Sequence, residues 1–205
     1  MSSSSSSSFF EKVSARSRSI DSLLCVGLDP RAESASEAER LCLDIISATA
    51  EYSCCFKPNS AFFEAHGGAG FEALGRVIAA CHDAGVPVIL DAKRGDVGST
   101  GKLYAAAAYD ALGADCVTVS PFLGFDGLEP FLRPSKGLFV LCANSNPSAK
   151  SFQDDEMRAK IARSCAKGGD WNDMPGADGL LGLVVGATDI DALELVRSVN
   201  STSWI

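Results

Sequence analysis

Residues 86–100 read VPVILDAKRGDVGST. The first eight open with β-branched and aliphatic residues and end in an acid and a base. That pattern predicts a strand over 86–93 whose last residues leave the core. Residues two apart on an extended strand point to the same side, about 6.5–7 Å apart. Asp91 and Lys93 are therefore expected on one face, at the strand's C-terminal end. Gly95 then allows a turn that places Asp96 on the following loop, and D-x-K-x-x-D brackets one lysine between two carboxylates. A surface salt-bridge cluster explains this poorly, because charges ending an otherwise apolar strand cannot all face solvent.

The same design recurs outward from this stretch. Apolar runs that predict strands lie at 23–29 (LLCVGLD), 53–59 (SCCFKPN), 116–122 (CVTVSPF), 138–144 (LFVLCAN) and 181–188 (LGLVVGAT). Each is apolar almost throughout, as parallel strands covered on both faces are. Helical spacing fills the gaps. In 71–84, Leu74, Val77, Ile78 and Cys81 fall on one face and Gly85 stands where a C-cap belongs. Ser36 with Glu37 and Glu39 predicts a helix start running to about residue 52. Further helices are expected over 99–111, 154–166 and 189–199. Strand starts recur about every thirty residues, the length of a βα unit.

Two architectures suit this alternation, an open doubly wound sheet and a (β/α)8 barrel. The first strand ends in Gly-Leu-Asp-Pro-Arg without the glycine fingerprint of an open nucleotide-binding sheet. Charged residues instead end strand after strand: Asp29, Lys57, Asp91 and Lys93. Polar groups converging from several strand ends describe the active-site face of a TIM barrel, the expected α/β fold. The segment 147–178 reads either as a lid or as a surface excursion.

The chain has 205 residues, 46% hydrophobic and 21% charged, with a formal net charge of −8. That suits one sizeable core. No run of 18 apolar residues exists, so no membrane span is expected. The acidic balance and singly scattered Lys and Arg argue against nucleic acid as a partner. The eight cysteines lie mostly in apolar runs and form no C-x-x-C pair, which predicts reduced, packed thiols and a cytoplasmic location. His66 and His82 are not spaced from any cysteine as zinc ligands are, so no metal site is expected. Both histidines, and the vicinal Cys54 and Cys55, read as structural. Residues 1–8 (MSSSSSSS) read as a disordered tail rather than a signal peptide, leaving 9–205 as the domain. The last residues, STSWI, carry no peroxisomal or prenylation address.

A lysine bracketed by carboxylates holds its proton, since opposite charges favour the ammonium form. It is a poor Schiff-base nucleophile and a good general acid. Carboxylates held together repel a third one brought between them. Such a cluster suits loss of a substrate carboxylate as CO2, with the lysine protonating the carbanion left behind and no cofactor needed.

Five segments carry a resemblance: CVGLDPR (25–31), FKPNSAFFE (56–64), DAKRGDVGST (91–100), TVSPFLGFDGLEPF (118–131) and LCANSNPSAKSFQ (141–153). In this order they resemble the orotidine 5'-phosphate decarboxylase family, in the branch that writes its motif DAKRGD. The resemblance implies a carboxy-lyase that makes UMP from orotidine 5'-phosphate without metal or cofactor. It makes Lys93 the proton donor to C6 of the pyrimidine and places Asp91, Asp96 and Lys57 in the charged network. Asp29 and Lys57 would hold ribose hydroxyls, Asn59 would add a substrate contact, and Ser145 would touch the ring. Asp96 and Thr100 would reach into a neighbouring subunit's site, implying a homodimer. A fused protein carrying orotate phosphoribosyltransferase is compatible with the same resemblance.

Two other readings stay open: a sugar-phosphate decarboxylase or aldolase on the same barrel, and an inactive structural fragment. Six strands are accounted for by Thr188 and STSWI reads as the start of a seventh. The family's glycine-rich phosphate grip and final G-R pair do not occur in these residues. The expectation is therefore a barrel short of its last two strands, prone to aggregate or to turn over substrate poorly.

Overall fold

The computed structural model describes residues 7–205, and the α-carbon packing divides the chain into two units. The first holds residues up to Ala92 together with Leu103–Val117. The second holds Lys93–Lys102 and Thr118–Ile205.

The first unit opens with a helix that the periodicity reading missed, α1 (Phe9–Ile20). Ser8 caps it, accepting from the Glu11 N–H while the Glu11 side chain accepts from Ser8 N–H. This is a capping box, legible as S-x-x-E around an apolar pair. The expected tail falls otherwise on residues 1–6, which lie outside the described residues. Phe9, Phe10 and Val13 are buried, and Arg16 donates to the carbonyls of Ala50, Ser53 and Gly85. The helix is thus tied to two separate turns of the unit, the one at residues 50–53 and the one at Gly85.

Strand β1 (Cys25–Leu28) pairs in parallel with β2 (Cys55–Pro58), Cys25 opposite Cys55 and Gly27 opposite Lys57. Bridges Phe56–Val88 and Asn59–Asp91 then join β2 to the next strand, β3 (Ile89–Arg94). Burial on both faces holds for β2 but not for β1, where Cys25 and Gly27 are exposed, and Leu23, two residues before the strand, is 73% exposed. The physical reason is an edge: β1 has one strand neighbour among the described residues.

Helix α2 (Ala35–Thr49) starts at Ser34, not at Ser36 as expected, because Ser34 is the residue whose side chain accepts from the Glu37 N–H. A one-turn 3-10 helix, Ala50–Tyr52, extends it to the expected end. After a single turn α3 (Ala61–Glu64), α4 (Gly67–Asp83) buries Leu74, Val77, Ile78 and Cys81, the face that the spacing predicts. Gly85 follows at φ 71°, the left-handed position that glycine occupies at no steric cost. Arg76 of α4 grips Glu39 of α2 through two bonds of 2.9 and 2.8 Å. Phe56, Phe63 and Leu74 are at most 1% exposed, each burial contributing about 1.5–3 kcal/mol.

Helix α5 (Gly98–Ala106) runs on into a wider π turn, Ala107–Ala111, so the expected helix 99–111 is present but changes pitch. Strand β4 (Cys116–Val119) is shorter than 116–122 because Pro121 begins a 3-10 turn capped by Ser120.

In the second unit, β5 (Gly137–Ala143) pairs in parallel with β6 (Leu181–Val185), Val140 opposite Leu183. The four-stranded sheet runs in the order β3-β4-β5-β6. Helices α6 (Asp155–Cys165) and α7 (Ile190–Val199) follow these strands, capped by Asp154 and Asp189. The segment 147–178 resolves into three parts: a 3-10 turn Pro147–Ser151, helix α6, and a turn-rich excursion. Ser164 O and Asn172 Oδ1 pin that excursion through the N–H groups of Trp171, Asn172 and Gly179. Residues 201–205 form no strand, yet the Trp204 carbonyl accepts from the Leu183 N–H at 2.8 Å, alongside β6.

Candidate active site

Asp91 is the most buried of the predicted charges, 8% exposed on β3. A carboxylate there needs partners. Lys57 Nζ lies 3.4 Å from Asp91 Oδ2, and Asn59 Nδ2 approaches the same oxygen at 3.5 Å. Parallel pairing explains the geometry. Asn59 bridges Asp91, and the Ser60 N–H donates to the Asp91 carbonyl at 3.1 Å, so the ends of β2 and β3 are held level. Asn59 is itself fixed, accepting from the Ala61 N–H at the start of α3. Asp29, one residue past β1, is exposed and makes no hydrogen bond to this group.

Lys93 is exposed at the end of β3, and its backbone is left-handed, φ 47°. For a residue with a Cβ this conformation costs about 1–2 kcal/mol. Its side-chain direction is therefore set by the outlier and not by strand alternation, which assumes extended backbone. The Lys93 N–H donates to Thr118 Oγ1 at 2.9 Å, and the Ser120 N–H donates to the Arg94 carbonyl at 2.7 Å. The turn after β3 is thereby fastened to β4. Gly95 is required by contact as much as by turning: a Cβ there would stand 2.9 Å from the Ser120 carbonyl oxygen.

Asp96 and Thr100 flank the start of α5. Asp96 accepts from the Val97 N–H at 2.8 Å and is partly exposed, while Thr100 in the first turn is exposed. Ser145 lies exposed just beyond β5. The structure thus joins Lys57, Asn59 and Asp91 into one group and leaves Asp29, Thr100 and Ser145 with solvent-facing side chains. Sequence reasoning passed over Thr118, which holds the Lys93 backbone. Its only signal was a hydroxyl at a buried position of the TVSPF segment.

Other expectations concern metals and thiols. Among the described residues no group of three or more His, Cys, Asp or Glu is placed to hold a metal ion. All eight cysteines are free, and seven are buried. Burial pushes Cys42 and Cys81 up to about 12. A hydrogen bond from Cys55 brings Cys54 down to about 7, with Sγ atoms 3.9 Å apart, yet Cys54 is 2% exposed. His82 is structural: its Nε2 lies 2.8 Å from Asp115 Oδ2. No helix among the described residues is long and apolar enough to cross a membrane.

The sequence pattern of the Orotidine 5'-phosphate decarboxylase / HUMPS family matches residues 22–203. The orotidine 5'-phosphate decarboxylase of Roseiflexus castenholzii is 44% identical over 207 residues, covering 92% of this chain and 72% of that protein. A solved Leishmania donovani OMP decarboxylase is 45% identical with a TM-score of 0.88, covering 96% of this chain and 78% of the other. A Leishmania donovani UMP synthase is 44% identical with a TM-score of 0.89, covering 97% of this chain and 44% of the other. The expected α/β TIM-barrel class is the fold this likeness gives, here with six strands among the described residues. With the family pattern spanning most of its length, the chain belongs to the orotidine 5'-phosphate decarboxylase family.

Proposed function

We propose that this chain decarboxylates orotidine 5'-phosphate to UMP in pyrimidine biosynthesis, with Lys93 as the proton donor. The observation that carries the reading is Asp91: a buried carboxylate, held by Lys57 and Asn59, on β3, the strand that also carries Lys93. Family membership names the substrate.

Lys57 and Asn59 fix the Asp91 carboxylate in place, so a substrate carboxylate brought against it meets a charge that cannot turn away. Repulsion is relieved as the C6–carboxylate bond breaks and CO2 leaves, with the electron pair remaining on C6. The Lys93 ammonium then transfers a proton to C6. The step is redox-neutral, and its proton comes from a side chain. Lys93's left-handed backbone, fastened to Thr118, aims that donor at a cost repaid elsewhere in the fold.

The remaining roles follow the same reading. Asp29 and Lys57 hold ribose hydroxyls, Asn59 adds a contact, and Ser145 meets the pyrimidine. Asp96 and Thr100, at the start of α5, complete a second subunit's site in a homodimer. The protein works in the cytoplasm. The UMP synthase similarity supports a version fused to orotate phosphoribosyltransferase.

The test is CO2 release from carboxyl-labelled orotidine 5'-phosphate. Lys93→Ala is expected to lose at least about a hundredfold in kcat, the scale of a general acid. Full activity in that variant overturns the mechanism. Turnover that needs magnesium, or that prefers a keto-sugar phosphate, overturns the substrate and favours the sugar-phosphate enzymes.

A further inference from the structure

Ser145 stands on exposed chain just past β5, outside any regular element. Two contacts from elsewhere in the second unit frame it. On one side the Asn144 N–H donates to Oε1 of Gln153 at 2.7 Å, closing residues 144–153 into a loop. On the other side lies Gly186, just past β6, whose N–H donates to the Ala143 carbonyl at 2.7 Å. A Cβ at Gly186 would lie 3.0 Å from Ser145 Cβ, 3.1 Å from its N and 3.2 Å from its Cα. A side chain there would push the serine's backbone as well as its hydroxyl.

Apolar packing does little to hold this loop. Within 147–153 only Ala149 is buried, and Phe152 is 74% exposed. A cavity of about 350 Å3 opens beside Asn144, Phe152 and Gln153. The Gln153 side chain lines this cavity and is held by its hydrogen bond from the Asn144 N–H. A second polar tie acts on the same loop. Lys150 Nζ lies 3.7 Å from Asp189 Oδ2, which also takes the buried Arg158 at 3.3 Å. Asp189 caps α7, so the loop after β5 is fastened to the loop after β6.

We infer that Gln153 and Gly186 are positioning residues for Ser145: together they set where its hydroxyl meets the substrate's pyrimidine ring. This rests on the role proposed above for Ser145. Gln153 acts through the backbone of Asn144, and Gly186 acts by lacking a side chain.

The test is steady-state kinetics of the full chain with orotidine 5'-phosphate. Gln153→Leu keeps the size and removes the acceptor; KM is expected to rise about tenfold, the worth of one hydrogen bond, with kcat changed far less. Gln153→Glu keeps an acceptor oxygen and should recover most of that loss. Gly186→Ala should raise KM at least as much as Gln153→Leu. In a Ser145→Ala background both substitutions should lose their effect, because the group they aim is gone. Exchange of the Asn144 amide with solvent should quicken in Gln153→Leu and return to the parent rate in Gln153→Glu. An active parent whose KM is unmoved by Gln153→Leu, or moved equally with and without Ser145, overturns this inference alone. An inactive parent overturns the proposed activity and the inference with it.

Discussion

Lys93 combines two demands that rarely fall on one residue: a charged side chain at a strand end and a left-handed backbone. The Thr118 hydroxyl answers the second by taking the Lys93 N–H. Thr118 is 3% exposed, so Thr118→Val keeps the shape and leaves the partner N–H without its acceptor. The expected result is a loss of about 1–3 kcal/mol in urea unfolding and a fall in kcat larger than any change in KM. Parent-like kcat would show that the lysine needs no such anchor. Little of this was legible beforehand. The D-x-K-x-x-D spacing located the charges, and Asp91 with Lys57 met as the strand ends implied. A lysine at positive φ leaves no mark on a sequence, since only Gly, Asn and Asp advertise that conformation.

Among elements, the apolar runs located all six strands of the described residues: a strand covered on both faces writes its burial directly into composition, and the edge strand β1 is apolar although exposed. Their ends were harder. Asp29 and Ser53 flank β1 and β2 but lie outside them, and Pro121 cut β4 short. Helix α1 was missed although Ser8 and Glu11 announce it, since its apolar residues cluster at one end instead of repeating. That helix is fastened by Asp115, which joins Lys12 Nζ at 3.6 Å, His82 Nε2 at 2.8 Å and the Val88 N–H at 3.0 Å. Burial raises the Asp115 carboxyl, but the His82 and Val88 bonds, with the neighbouring His82 and Lys12 charges, hold the group below its ordinary value. A lowered folded value means the stabilisation is complete above the unfolded carboxyl's pKa, about 3.9, and is lost as pH falls through the folded one. Asp115→Asn should therefore unfold more easily at neutral pH, by about 1 kcal/mol, and show a flatter stability profile as pH falls below about 4. A variant with the parent's acid slope would remove Asp115 from the account.

Across the whole molecule, the cysteines test how the apolar interior is distributed. Seven of eight are buried, and only Cys25, on the β1 edge, is exposed. Brief iodoacetamide treatment of the folded protein, read by peptide mass, should modify Cys25 and leave the other seven for reaction after unfolding. Early labelling of Cys54 would show that its lowered pKa outweighs its burial. The acidic total charge gives an anionic substrate no general attraction, so any attraction has to come from local positive charge. The left-handed lysine has a consequence for anyone engineering the protein. Folded chains sit only a few kcal/mol from unfolding, and glycine would occupy position 93 with less strain. Selection for heat resistance alone would then reward removal of the lysine proposed as the proton donor, so any stabilised library must be screened for chemistry in the same round.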